Sequence, residues 1–309
     1  MLTPTQARVI DPILTTQSRG YQHPESVGHL IFPTASVSVR GGKRIEFNKE
    51  SFKLYNTARA PGAATKRIDF GYQGVAYSLE QHSLEGKVPF EIMQEAGRVP
   101  GIDMGARAVR VVQDIMSLRK EYLQGTAARL AANYAGTNKV TLAGVNQWSD
   151  AGSNPKGDVN TAKEAIRANI GRYPNTMILG PKVFMDVSEH AAIKDQFKYT
   201  SADSITTEML ARYFNVEKVA IGKSIYADDN DAFVDIWGKD AVLAYVPMGQ
   251  DGNMEVPSYG YTYQLDGTPY VETPYDERNA KSWFYPVTDE FSAELVGAEA
   301  GYLIQNATA

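Results

Sequence analysis

Between Pro100-Gly101 and Gly136 the sequence holds a helical pattern too long for an ordinary compact domain. Val109, Val112, Ile115, Met116, Tyr122, Leu123 and Leu130 recur at three- and four-residue steps, while Arg110, Gln113, Asp114, Arg119 and Lys120 take other faces. The periodicity predicts one helix over residues 103–134, about 48 Å long at 1.5 Å per residue. Globular helices average about 12 residues. Gly125 falls inside it, at a cost of about 1 kcal/mol relative to alanine, and marks a place for a bend or a break. Such a helix is a strut. Its apolar stripe, with Val112, Met116 and Leu123 along it, needs another element to cover it.

What precedes the strut has little core of its own. Pro4, Pro12, Pro24 and Pro33 punctuate residues 1–33, which show no sustained period and read as an arm. From Ala35 the pattern changes: Val37 and Val39 alternate with Ser36, Ser38 and Arg40, the period of a half-exposed strand. Gly41-Gly42 reads as a hairpin turn, after which Ile45 and Phe47 resume the alternation, and residues 67–72 form another extended run. A two-stranded ribbon is marginal alone in water, so this excursion must rest on something else.

After the strut, residues 144–160 read as a turn-rich connector and a domain boundary. An α/β pattern follows: a helix over residues 161–169, a buried strand over 176–179, and helical pattern from Pro181 to about residue 196 and again over 206–213. Strands are expected over 216–221, 232–237 and 241–246. In the tail Tyr259, Tyr261 and Tyr263 alternate on one face, and residues 300–304 form the last strand. The fold class is α+β.

With 309 residues, 43% hydrophobic and 22% charged, the chain has the balance of a globular protein of about two domains. No run approaches the roughly 18 apolar residues of a membrane span, and the N-terminus lacks the apolar core of a secretory signal. There are no cysteines, which fits folding in a reducing cytoplasm. The net charge of −5 is unevenly spread. Residues 40–68 carry Arg40, Lys43, Arg44, Lys49, Lys53, Arg59, Lys66 and Arg67 against Glu46 and Glu50, a net +6. Residues 228–309 carry fifteen acids against Lys239, Arg278 and Lys281, a net −12. Such a split is either solvated surface or a code by which copies recognise each other. A nucleic-acid groove would carry stacking aromatics and a basic overall balance, and this chain is acidic.

Catalytic signatures are missing. His23, His29, His82 and His190 are scattered, with no metal-ligand spacing among them. No G-x-S-x-G elbow occurs. Gly222-Lys223-Ser224 resembles the end of a phosphate loop, but Glu217 stands where that loop's first glycine belongs and would repel phosphate. Asp228, Asp229, Asp231 and Asp235 lack the sixth-position glycine of a calcium loop and fit an exposed hairpin better. No catalytic residue, cofactor or metal is nominated.

Read in order, the segments resemble a known family. Trp148-Ser149-Asp150 stands ahead of residues 158–162, followed by residues 173–180, Met209-Leu210-Ala211, residues 216–222, Ile236-Trp237-Gly238, residues 258–262 and residues 300–304. With the arm, the basic excursion and the strut, this order is similar to the major capsid protein of tailed double-stranded DNA bacteriophages, whose capsid fold is shared with encapsulins. The resemblance covers nearly the whole chain and carries no catalytic motif.

The resemblance implies an N-terminal arm over residues 1–34, an extended β-hairpin loop over 35–86, a peripheral domain with the spine helix over 87–145, an axial domain over 146–256 and a return to the peripheral domain over 257–309. It implies a structural subunit that self-assembles into hexamers and pentamers of an icosahedral head around double-stranded DNA, in the cytoplasm of a host bacterium. The eight basic loop residues would then be inter-subunit contacts. The implied partners are copies of itself, a separate scaffolding protein, a portal, a decoration protein and the packaged DNA, with no membrane. Two alternatives stand beside this: an encapsulin-like nanocompartment shell, and a β-rich enzyme or carbohydrate-binding protein using its tyrosines as sugar platforms.

Overall fold

The computed structural model describes residues 10–11, 14–16, 25–45, 58, 74–96, 103–197, 205–247 and 258–309. Before the long helix come β1 (Thr34–Val37), β2 (Gly41–Ile45), β3 (Gly74–Ser78), β4 (Glu80–Pro89) and α1 (Phe90–Ala96). The long helix is α2 (Met104–Arg129). Then follow β5 (Lys139–Thr141), α3 (Pro155–Ile170), β6 (Thr176–Leu179), α4 (Pro181–Glu189), α5 (Ala191–Phe197), α6 (Thr207–Phe214) and β7 (Lys218–Ile221). A hairpin, β8 (Ile225–Ala227) with β9 (Phe233–Asp235), leads to β10 (Ala241–Ala244). The chain closes with β11 (Gly260–Leu265), β12 (Tyr270–Val271), β13 (Tyr275–Glu277), β14 (Ser282–Leu295) and β15 (Gly301–Gln305).

Asp103 starts α2 as its N-cap, its carboxylate accepting the Ala106 N–H at 3.0 Å. The helix runs for 26 residues, about 39 Å. It stops at Arg129 and not near residue 134, because Leu130 turns extended and side chains capture the last carbonyls. Tyr134 Oη donates to Ala128 O at 2.6 Å and Asn133 Nδ2 to Ala127 O at 2.9 Å. The helix passes uninterrupted through Gly125, which is needed for close packing: a Cβ there would lie 2.6 Å from Ile236 Cγ2. Val109 and Val112 are buried with Val88, Val271, Tyr285 and Val287, and Met116 packs against them. Leu123 is half-buried and Ile115 half-exposed, so the covered stripe is narrower than the periodicity suggests.

β14 is the axis of the first sheet. It pairs antiparallel with β4 from Ser282↔Pro89 to Phe291↔Glu80, and on its other edge with β11, β12 and β13, while β1 adds parallel to β11. Successive side chains point to opposite faces. Asp289 and Tyr285 therefore meet α2, and Glu290, Thr288, Pro286 and Phe284 look the other way. The second sheet has the order β5-β15-β10-β6-β7, with β6 and β10 fully buried under the helices that flank it. Strand β15, expected beside β11–β14, pairs here with β10 and β5, so the returning chain supplies both sheets.

Two local readings are corrected. Helix α3 begins at Pro155, inside the expected connector: Asn154 accepts the Gly157 N–H at 3.0 Å as N-cap, and Pro155 takes the first turn, where its missing N–H costs nothing. Gly41-Gly42 lies within β2 and makes no turn; the chain bends at residues 38–40 instead. Gly42 faces Tyr77, and a Cβ there would sit 2.9 Å from that ring.

Candidate functional site

Strands β2 and β3 pair antiparallel over Gly41↔Ser78 to Ile45↔Gly74 and form the base of the excursion. The base rests on the sheet face opposite α2. Tyr77 stacks on Tyr263 with centroids 4.8 Å apart, and Leu79 packs on Ala35, Val37, Tyr261, Tyr263 and Val296. Arg40, at the bend, donates from Nε to Glu290 Oε2 at 2.6 Å and from a terminal nitrogen to Oε1 at 2.9 Å. The Glu290 side chain is 3% exposed and Arg40's 72% exposed. The guanidinium holds the Glu290 carboxyl below the usual carboxylate range, and the same hydrogen bond raises Arg40 further. Arg40 thus pins its own ribbon to its own sheet.

Of the other basic residues in the loop, Lys43 is exposed on β2 opposite Ala76, and Arg44 lies opposite Val75. Lys49, Lys53, Arg59, Lys66 and Arg67 lie outside the described residues. Beyond the ribbon base the same sheet face is open. It presents Ser83, Glu85 and Lys87 of β4 with Tyr275 and Glu277 of β13. Tyr275 Oη donates to both Glu85 oxygens at 3.0 and 3.1 Å, and its ring stacks on Phe284 at 5.4 Å. Accepting oxygens at Glu85, with Glu277 and Glu272 nearby, raise the Tyr275 phenol above its ordinary value. This surface is exposed and, with Glu85 and Glu277 against Lys87, net acidic.

A second cluster joins three segments. Glu121 of α2 is 1% exposed and accepts from Ser26 Oγ at 2.5 Å, Val27 N at 3.1 Å, Gly28 N at 2.9 Å and Trp237 Nε1 at 2.7 Å. It ties the end of the arm and the loop after β9 to the strut. Lower on α2, Arg129 Nε donates to Asp240 at 2.6 Å and a terminal nitrogen to Ile236 O at 2.7 Å, so the strut's last turn is bolted to the second sheet's connections. Sequence reasoning singled out neither Glu121 nor Glu290. Glu290 carried a usable signal, since an Asp289-Glu290 pair in the middle of a strand that holds Trp283, Phe284, Tyr285, Val287 and Phe291 demands partners.

The tyrosines expected as sugar platforms are buried: Tyr259 is 0%, Tyr261 3% and Tyr263 2% exposed. Tyr259 meets Tyr134 hydroxyl to hydroxyl inside the core, and burial raises both phenols. Asp228 accepts the Asn230 and Ala232 N–H groups at 2.9 Å and builds the β8–β9 turn. Among the described residues no group of three His, Cys, Asp or Glu is placed to hold a metal ion, and no helix is long and apolar enough to cross a membrane.

A long strut, a ribbon laid on a sheet face and a second mixed sheet make up the shell-protein fold that phage capsids share with encapsulins. The holo-SrpI encapsulin of Synechococcus elongatus PCC 7942 superposes with a TM-score of 0.56 at 12% identity, over 93% of this chain and 89% of that one. A crystal structure of a phage-related protein from Bordetella bronchiseptica RB50 is similar at a TM-score of 0.85 and 46% identity, over 98% and 99%. The family model for phage major capsid protein E matches residues 118–286. The major capsid protein of Burkholderia phage BcepMu is 37% identical over 97% of both chains. The chain belongs to the phage major capsid protein family and is a structural subunit of a phage head.

Proposed function

We propose that copies of this subunit form the hexamers and pentamers of an icosahedral shell around double-stranded DNA, and that the basic loop of each copy lies on its neighbour. The carrying observation is the ribbon β2–β3, which leaves its own sheet with net positive sequence beyond it, beside an open acidic face at Glu85, Tyr275 and Glu277. The segment roles follow the order of the chain: arm over residues 1–34, loop over 35–86, peripheral domain with α2 over 87–145, axial domain over 146–256 and return over 257–309, with β5 and β15 lending their edges to the axial sheet. A separate scaffolding protein, a portal and a decoration protein would act with it, and assembly would take place in the host cytoplasm. The chain has no catalytic role in this reading; its named relatives are shell proteins. The phage reading is favoured over a cargo compartment because the phage relative is 37% identical while the encapsulin, at 12%, shares the fold alone.

The test reverses Lys43, Lys49 and Lys53 to glutamate and leaves Arg40 in place, because Arg40 serves its own chain. Each exposed pair is worth about 0–1 kcal/mol, but the contacts repeat in every subunit. The triple variant should fold, by circular dichroism, and fail to form shells in electron micrographs at low salt. High salt should slow early assembly of the wild type. A triple variant that assembles as well as wild type at low salt would leave the loop's charge as solvated surface.

A further inference from the structure

Two mixed patches of apolar and charged side chains are exposed on this chain. One is the outer face of the β8–β9 hairpin. Cross-strand pairing puts Ile225, Ala227 and Phe233 on the same face together with Asp235, with Phe233 76% and Ile225 45% exposed. Asp229 and Asp231 at the turn are exposed and make no ion pair among the described residues. The opposite face of the hairpin is used: Tyr226 packs edge-on against Tyr122 of α2, with centroids 4.9 Å apart. The second patch is the outer side of α2. Val111 and Ile115, 51% and 50% exposed, form one row, with exposed Arg107, Arg110 and Arg119 around it. Asp114 is the one acid between positions 107 and 119, Arg119 stacks over Tyr122 at 5.5 Å, and none of the three arginines makes an ion pair among the described residues, so the face is net positive.

We propose that the β8–β9 hairpin of one subunit docks on the Arg107–Arg119 face of α2 in a second copy, with Phe233 between Val111 and Ile115 and the aspartates against the arginines. The inference rests on the shell reading and names a contact within it. Complementarity carries it: an apolar knob rimmed by acids meets an apolar row rimmed by arginines, and every copy supplies both halves. The sizes agree, since residues 107–119 span about 18 Å of helix and three residue pairs of hairpin about 10 Å. The same chain cannot close the contact, because its own hairpin is rooted at Tyr122 with the apolar face turned away from α2. Docking also removes a liability, as a two-stranded hairpin with an exposed phenylalanine is marginal by itself.

The chain has no cysteine, so every disulfide in a variant is an engineered one. Subunits carrying Phe233→Cys and Ile115→Cys are co-expressed, one of them tagged, and the particles are imaged before oxidation. The expected result is a tagged-to-untagged link in shells that is lost when they are dissociated before oxidation. It should also be lost when Val145→Cys, exposed elsewhere, replaces Ile115→Cys. Shells without that link, or with equal linking to Val145→Cys, overturn the proposal and leave the shell reading intact; a wild type that forms no shells overturns that reading itself. Should a cysteine variant fail to assemble, charge exchange decides. Asp229→Arg with Asp231→Arg should abolish shells, and adding Arg107→Asp with Arg110→Asp should restore them; no restoration overturns the contact. Arginine reversals that assemble normally but lose bound DNA would assign the stripe to nucleic acid and also overturn it.

Discussion

Glu121 has no cation beside it among the described residues, yet it is stabilised by four donors, three from residues 26–28 and one from Trp237 in the loop after β9. Its full set of lone pairs is the reason a buried charge is tolerated there. In Glu121→Gln the amide turns an NH2 toward N–H donors, leaving at least one of them unsatisfied at a cost of about 1–3 kcal/mol. Urea unfolding of dissociated subunits should register that loss, and an unchanged midpoint would mean the junction is not structural. Glu290 gives a pH signature. Its carboxyl is held low by Arg40, so the pair's contribution is fully present above the unfolded value of about 4.3 and is lost as pH falls through the lower folded value. In Arg40→Ala the buried carboxyl is unpaired and gains by protonation. The stability gap between wild type and variant should therefore be widest near neutrality and narrow below about pH 4.3; a gap independent of pH would exclude the pair as its source. Glu121, unlike Glu290, did not stand out in the sequence. A glutamate on an amphipathic helix reads as solvent-facing, and only three-dimensional convergence of residues 26–28 and Trp237 distinguishes Glu121 from Glu95.

Among the elements, α2 was the most legible, since its period comes from the burial of Val109 and Val112 against one sheet. Its end was not legible, because Leu130 prolongs the apolar pattern although Tyr134 and Asn133 have already taken the helix carbonyls. The same local competition hid the start of α3, where Asn154-Pro155 spells either a turn or a capped first turn. Glycines misled for a related reason. Gly41-Gly42 has turn chemistry, but here the missing side chains admit the Tyr77 ring across the ribbon. Adjacent positions on α2 provide a sharp test. Val112 is 2% exposed and Val111 51%, so Val112→Asp should prevent soluble folding by burying an unpaired charge, while Val111→Asp should fold. Equal solubility of the two variants would mean the covered face is misassigned.

For the whole molecule, the readable quantity was the order of segments and the separation of charge, both properties of the linear chain. Which face of the first sheet stays open was not readable. It depends on β14 being flanked on both edges, with α2 covering one face and the ribbon base covering only part of the other, a consequence of register that no local pattern encodes. The destination of β15 was hidden likewise, as a short buried strand fits either sheet until β10 is in place to receive it. What results is a subunit whose second sheet is buried under helices, while the sheet face near Tyr275, the outer side of the β8–β9 hairpin and the outer side of α2 are exposed, as the proposed contacts between copies require. The most direct measurement is sedimentation velocity with negative-stain electron microscopy of the purified protein over a range of concentrations. Closed shells, or rings of five and six subunits that grow with concentration, are the predicted result; a strict monomer at every concentration would contradict the account.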